Sequence, residues 1–212
     1  MQIKTMVCGP IDVNTYVISN GTRECIVIDP ADAQLVNEYC AKQELRVTHV
    51  LLTHGHFDHI LGVAQLQREG ARVYIHELDA QALHDDRENL SISASFGVEP
   101  CNADVLVEDG GVITACGLTI DVMHTPGHSR GGVCYMIAQE RVIFTGDTLF
   151  RLSVGRSDLP GGSARTLNES ICSKLLTLTG DYKLYPGHMG DSTLESERAN
   201  NPFINRWEPE VW

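Results

Sequence analysis

Thr53-His54-Gly55-His56-Phe57-Asp58-His59 (THGHFDH) puts three of the chain's 9 histidines, and an aspartate, into seven positions directly after the apolar run Val50-Leu51-Leu52. On an extended segment His54 and His56 alternate and point the same way. Asp58 and His59 fall where helical spacing begins, since Ile60, Val63, Ala64 and Leu66 recur with that period up to Gly70. A helix N-terminus disfavours the imidazolium, so His59 keeps a nitrogen lone pair. Taken alone, each residue has a plainer reading: Asp58 as a helix cap, the histidines as a polar turn.

Three further strands end in the same way. Ile120 to Met123 runs to Thr125-Pro126-Gly127-His128, Val142 to Phe144 to Thr145-Gly146-Asp147, and Leu184-Tyr185 to Pro186-Gly187-His188. Each is an apolar strand, a tight turn and a residue able to bind metal. If the four turns emerge at one edge, they gather His54, His56, Asp58, His59, His128, Asp147 and His188. A tetrahedral zinc takes four ligands. Seven suit two divalent ions sharing one carboxylate. Zinc is the first expectation, with iron and manganese served by the same donor types.

The surroundings narrow the function. Sixteen basic against 28 acidic residues give a formal charge of −12 over 212 residues, which repels phosphate backbones and anionic membranes. Apolar runs are only strand-length, so no membrane span is expected. Met1 to Lys4 carries no apolar signal region. The 7 cysteines are scattered and form no CxxC pair. They read as reduced core thiols of a cytoplasmic protein.

The remaining pattern predicts strands over Ile3 to Cys8, Val13 to Ile18, Cys25 to Ile28, Val47 to Leu52, Val73 to Ile75, Val105 to Ile113, Leu118 to Met123, Val133 to Ile137 and Lys183 to Tyr185. Asn20-Gly21 is a hairpin signal. Helices are predicted over Ala33 to Lys42 and Glu77 to His84, with residues 85–103 irregular. A further helix is opened by Thr166-x-x-Glu169, with Leu167, Ile171, Leu175 and Leu178 on one face. The last is capped by Ser192-x-x-Glu195 and closed at Asn200-Asn201-Pro202. Strand clusters followed by helices, twice over, imply an α/β (α+β) architecture: one domain over residues 1–212, with two mixed sheets face to face and helices outside. The tail from Phe203, with Trp207 and Trp212, is expected to dock on its own domain.

THGHFDH resembles the HxHxDH signature of the metallo-β-lactamase superfamily, and His128, Asp147 and His188 match its later motifs in order. The resemblance implies the αββα sandwich. It further implies that His54, His56 and His128 hold a first metal, that Asp58, His59 and His188 hold a second, and that Asp147 bridges. Asp147 is unlike the true β-lactamases, which argues against antibiotic hydrolysis. His56 stands where the flavodiiron oxygen reductases carry glutamate. The acidic charge and the lack of a tRNA-clamping segment argue against the tRNA-processing nucleases. Gly146 to Phe150, Val154 to Gly162 and the stretch from Glu197 to Phe203 are most similar to the compact glyoxalase II-like branch, the hydroxyacylglutathione hydrolases. Classical members append a glutathione-gripping helical domain, whereas this chain stops about 24 residues after His188.

The implied chemistry is hydrolysis of a small-molecule thioester, such as S-D-lactoylglutathione. Metals bring a water to a pKa of roughly 7, with Asp58 and Asp147 the catalytic carboxylates. Arg130, just after the His128 turn, is either a receiver of a substrate carboxylate or, the preferred reading, a surface arginine in a glycine-rich loop. Arg156 is a second candidate, with an ion pair to Asp158 the preferred reading. Asp29 is either an outer partner of a ligating histidine or a turn residue. His49, His76, His84 and His124 fit no ligand pattern. Three alternatives stand beside the thioesterase: a mononuclear-iron persulfide dioxygenase, a lactone or phosphodiester hydrolase on the same site, and a non-catalytic metal-binding protein. A structural metal would need only four ligands and no open position.

Overall fold

The computed structural model describes residues 1–204. The first sheet joins β1 (Gln2–Cys8), β2 (Val13–Ser19), β3 (Glu24–Ile28), β4 (Arg46–Leu51), β5 (Arg72–His76) and β6 (Val105–Val107) in that spatial order. Its first two pairings are antiparallel and the rest parallel. The parallel crossovers carry α1 (Ala33–Lys42) and, between β4 and β5, the short helices α2 (Phe57–Ile60) and α3 (Val63–Arg68). The second sheet holds β7 (Val112–Ala115), β8 (Leu118–His124), β9 (Val133–Ile137), β10 (Val142–Gly146), β13 (Lys183–Pro186) and β14 (Ser192–Thr193), in the order β14-β13-β10-β9-β8-β7. A small hairpin, β11 (Leu149–Phe150) with β12 (Ser153–Val154), follows β10.

The strand sequences explain the layers. A strand covered on both faces reads as a continuous apolar run, and Cys25-Ile26-Val27-Ile28 is one. Ile26 and Ile28 turn inward with Tyr16, Ile18 and Leu51 to meet Ile120, Tyr135 and Phe144 of the second sheet. Cys25 and Val27 turn outward against Val36, Cys40, Val63 and Leu66 of α1 and α3. On the far side Cys134, Ile143 and Leu184 pack against Leu167, Ile171, Leu175 and Leu194. The predicted αββα sandwich of two mixed sheets is the observed fold. All seven cysteines are free, and no helix among the described residues is long and apolar enough to cross a membrane.

Several local expectations need correction. Val105 to Ile113 is two strands in different sheets, because the turn Glu108-Asp109-Gly110-Gly111 carries the chain from one sheet to the other. The helix predicted after His59 breaks between Ile60 and Val63, where Gly62 packs against the Pro30 carbonyl. Residues Glu77–Leu83 form a 3₁₀ rather than an α-helix, and Ser91–Ala94 adds a single turn, α4, within the segment read as irregular. Ser163, not Thr166, caps α5 (Ala164–Ser170): its hydroxyl accepts from the Thr166 N–H, and the helix then widens to a π turn over Ile171–Leu175, short of Leu178. Thr193, not Ser192, caps α6 (Leu194–Asn200), while the Ser192 hydroxyl bonds Glu197. The tryptophan tail lies outside the described residues.

Candidate metal centre

The four turns come to the same edge of the sandwich. The β4 turn from the first sheet meets the β8, β10 and β13 turns from the second. Main-chain bonds lock them together: Val133 N–H donates to Thr53 O (2.8 Å), Gly187 N–H to Gly146 O (2.8 Å) and Asn14 N–H to Gly187 O (2.7 Å). The Asn14 side-chain amide adds bonds to the Pro186 and Met189 carbonyls, and the Tyr16 hydroxyl donates to Pro186 O at 2.6 Å. The turn bearing His188 is thus held by β2. Close approach dictates glycine at 187, where a Cβ would fall 2.2 Å from Asp147 Oδ1 and 2.8 Å from His59 Cε1.

All seven residues of the expected cluster lie together. Two trios form, and within each the donor atoms lie within 4.8 Å of one another: His54, His56 and His128, then Asp58, His59 and His188. Asp147 stands between them. Its carboxylate oxygens are 3.6 Å from His128 Nε2 and His59 Nε2, and 3.7 Å from His188 Nε2. Asp58 lies 3.3 Å from both His59 Nε2 and His188 Nε2.

The outer hydrogen bonds decide where the lone pairs go. Asp29 can only accept, so His59 Nδ1–H donates to it (3.0 Å). Thr53 Oγ1 donates to Asp29 (2.6 Å) and so receives His54 Nδ1–H at 3.1 Å. His128 Nδ1–H donates to the Arg156 main-chain carbonyl at 2.7 Å, and His188 Nδ1 reaches the Asp12 carbonyl at 3.3 Å. Four imidazoles therefore turn Nε2 inward, the arrangement that outer partners impose on metal ligands. Asp29 belongs to this outer layer although it also lies near His54 and His59, because both its oxygens are already bonded. It holds a left-handed backbone (φ 48°) to do so.

Buried polar atoms are normally paired. Here His54 Nε2, His59 Nε2 and Asp147 Oδ1 are buried without a partner among the described residues, all three facing the cluster. Clustered imidazoles and carboxylates with orphaned inward atoms fit divalent metal ions.

The two trios differ electrically. Burial, then the neighbouring imidazoles, push His54 well below its ordinary range, and burial followed by His128 takes His56 to about 3. In the other trio burial opposes charge but loses. Asp58, Asp147 and Asp29 hold His59 well above its usual value, against the neutral imidazole expected at a helix N-terminus, and Asp58 and Asp147 raise His188. Burial likewise works against an ionised Asp58, yet His59 and His188 keep it well below the carboxylate range.

Other sequence candidates fall elsewhere. Arg130 is exposed and lines a small pocket beside His56 with Leu78 and Pro160, apart from the main cleft. The Arg156 guanidinium lines the cleft but is paired bidentately with Asp158 at 2.8 Å. His124 stacks on His76 (centroids 4.1 Å) and donates from Nε2 to Arg130 O, bracing the His128 loop. His49 stacks on Tyr74, and His84 is exposed.

Sequence reasoning missed Asp79. It is buried in the 3₁₀ helix, accepts from Ser129 Oγ (2.6 Å), Gly131 N (2.6 Å) and Gly55 N (3.2 Å), and so ties the His54–His56 loop to the His128 loop. Its only trace in the sequence is an acid set among Leu78, Ala80, Ala82 and Leu83.

The metallo-beta-lactamase superfamily model matches residues 8–188. Hydroxyacylglutathione hydrolase GloC of Haemophilus influenzae is 30% identical, over 97% of this chain and 99% of its own. Among solved structures, BLEG-1 B3 metallo-beta-lactamase superposes with a TM-score of 0.91 at 35% identity, covering 96% of this chain and 99% of its own. TTHA1623 in a di-iron-bound form gives 0.83 at 32%, covering 94% and 99%. By sequence, by fold and by the order of its turn residues, the chain belongs to the metallo-β-lactamase superfamily.

Proposed function

We propose that the protein is a metal-dependent thioester hydrolase of the hydroxyacylglutathione hydrolase type. One observation carries the reading. The cluster opens onto a cleft of about 510 Å³ whose ionisable lining, among the described residues, consists of five cluster members and Arg156. The walls thus offer no separate proton donor. A thiolate, with a parent pKa of about 8.5, departs without one, whereas an amine demands one. The likeness to GloC supports the same reaction class.

His54, His56 and His128 would hold one ion and Asp58, His59 and His188 another, with Asp147 placed to serve both. When bound, such ions supply an activated water near neutral pH and polarise the substrate carbonyl. The chain's own contribution is orientation. Asp29, Thr53 and the Arg156 carbonyl fix which imidazole nitrogen faces inward. Asp79 holds the two histidine loops in register, and Phe57 and Phe150 give part of the cleft an apolar lining. Zinc is the first metal to test. Iron comes second, supported by the di-iron form of TTHA1623.

The likeness to BLEG-1 favours a second reading, β-lactam hydrolysis, against which the presence of Asp147 argued. Zinc- and iron-loaded protein assayed with S-D-lactoylglutathione and with a chromogenic cephalosporin separates them, with Asp147→Asn as control. Thioester turnover lost in the variant supports the proposal. Cephalosporin turnover alone transfers it to the second reading. Oxygen uptake with glutathione persulfide, at one iron per chain, would replace both with a dioxygenase.

A further inference from the structure

The cleft is lined by two unlike sets of residues. One is the ligand cluster. The other is mainly apolar, with Ile11, Leu90, Phe150, Leu159 and Met189 beside Ser93 and Ser153, and Phe57 is backed by a stacked Phe96 (centroids 5.5 Å). Leu90 and Met189 both hold left-handed backbone, at φ 68° and 67°. Bulky residues rarely occupy that region and glycine does so freely. Strain of this kind persists where the side chain has a use. Met189 and Ile11 are also 59% and 51% exposed, so both present apolar surface to solvent while lining the cleft.

Charge points the same way. Arg156 is the one Lys or Arg lining the cleft among the described residues, and Asp158 engages its Nε and Nη2. Arg151 is not part of that lining, its Nη1 lying near Gly190. With a net charge of −12, the protein offers poor reception to the carboxylates of glutathione.

We infer that the cleft selects thioesters bearing an apolar group, aliphatic or aryl, on one side of the scissile bond over those bearing none; this rests on the thioester reading above. The apolar group can belong to the thiol or to the acyl half, so three substrates separate the cases. S-D-lactoylglutathione is the charged reference, the benzyl thioester of D-lactate carries an apolar thiol, and S-phenylacetylglutathione an apolar acyl group. Discrimination by an apolar pocket runs to roughly 10–200-fold for small increments of hydrocarbon. One or both apolar substrates should therefore exceed the reference in kcat/KM by at least about tenfold, and which one does so assigns the wall to thiol or acyl.

Leu90→Gly and Met189→Gly remove the wall while suiting the backbone. Each should lower that preference severalfold through KM, with Tm held. Leu90→Asn, which tolerates the same φ, guards against a folding defect. The inference is overturned if S-D-lactoylglutathione leads both apolar substrates, or if the variants leave the ratio unmoved. Should none of the three turn over, the thioester reading itself fails. The wall is then read from calorimetry with benzyl methyl sulfide and S-methylglutathione, where tighter binding of the charged ligand sinks the apolar preference too.

Discussion

The two trios share one edge of one sandwich and solve the ligand problem in opposite ways. His54, His56 and His128 are three clustered imidazoles, of which burial and mutual repulsion keep His54 and His56 neutral. Asp58, His59 and His188 form a compensated set, in which carboxylates hold protons on the imidazoles against the cost of burial. The outer partners differ as well. His128 relies on a main-chain carbonyl, His59 on the Asp29 side chain. Location in the fold gathers ligands; the neighbouring charges decide what state each one waits in.

Asp147 faces both trios, so it is the severest test of their separateness. Asp147→Asn should lower turnover at least about a hundredfold and reduce metal content at both positions, measured by steady-state kinetics with elemental analysis. Full metal content with full activity would mean the trios act alone. Next in size is metal removal. A ligand at about a thousand times its Kd contributes about 4 kcal/mol, so dialysis against a chelator should drop Tm by about 10 °C in a chain of this length. An unchanged Tm would show that the cluster binds no metal tightly.

Asp29→Asn should weaken metal affinity about 10–100-fold, more at the second trio than the first. The carboxylate touches His59 directly and His54 only through Thr53. Equal losses at both would erase that distinction.

Protonation gives a subtler contrast. His59 and His188 have raised pKa values, so loading the second trio at pH 7 must displace protons, and its affinity should fall as pH drops. His54 and His56 are already neutral and have no protons to displace, so loading the first trio should release fewer protons and depend less on pH. Calorimetry in buffers of different ionisation enthalpy counts the protons, and identical counts for the two loading steps would break the comparison. The smallest effect belongs to Arg156→Ala. His128 is held by the main-chain oxygen, and the side chain pairs only with exposed Asp158. Metal affinity and Tm should stay within error.

The ligands were legible in the sequence because each ends an apolar strand with a short turn, a pattern that local chemistry creates and tertiary contact only assembles. The layers were legible because doubly covered strands such as Cys25 to Ile28 read as unbroken apolar runs. What escaped notice depends on contacts distant in sequence. Asp79 reaches Ser129 and Gly131 across some fifty positions. The Arg156 carbonyl serves His128 through an atom that every residue possesses. The chain's change of sheet at Glu108 to Gly111 was signalled by Asp109-Gly110-Gly111 yet hidden by apolar residues on both sides. The caps slipped because Ser163 and Thr166, or Ser192 and Thr193, offer the same hydroxyl within a few residues.

Each trio takes two residues from the segment that follows β4, the first trio from the turn and the second from α2, and one from a turn of the second sheet. During synthesis the first trio is complete in sequence once residue 128 has been made, and the second only at residue 188. Neither exists until the sheets have closed on each other, so ion uptake followed on a growing chain would mark the moment the sandwich shuts.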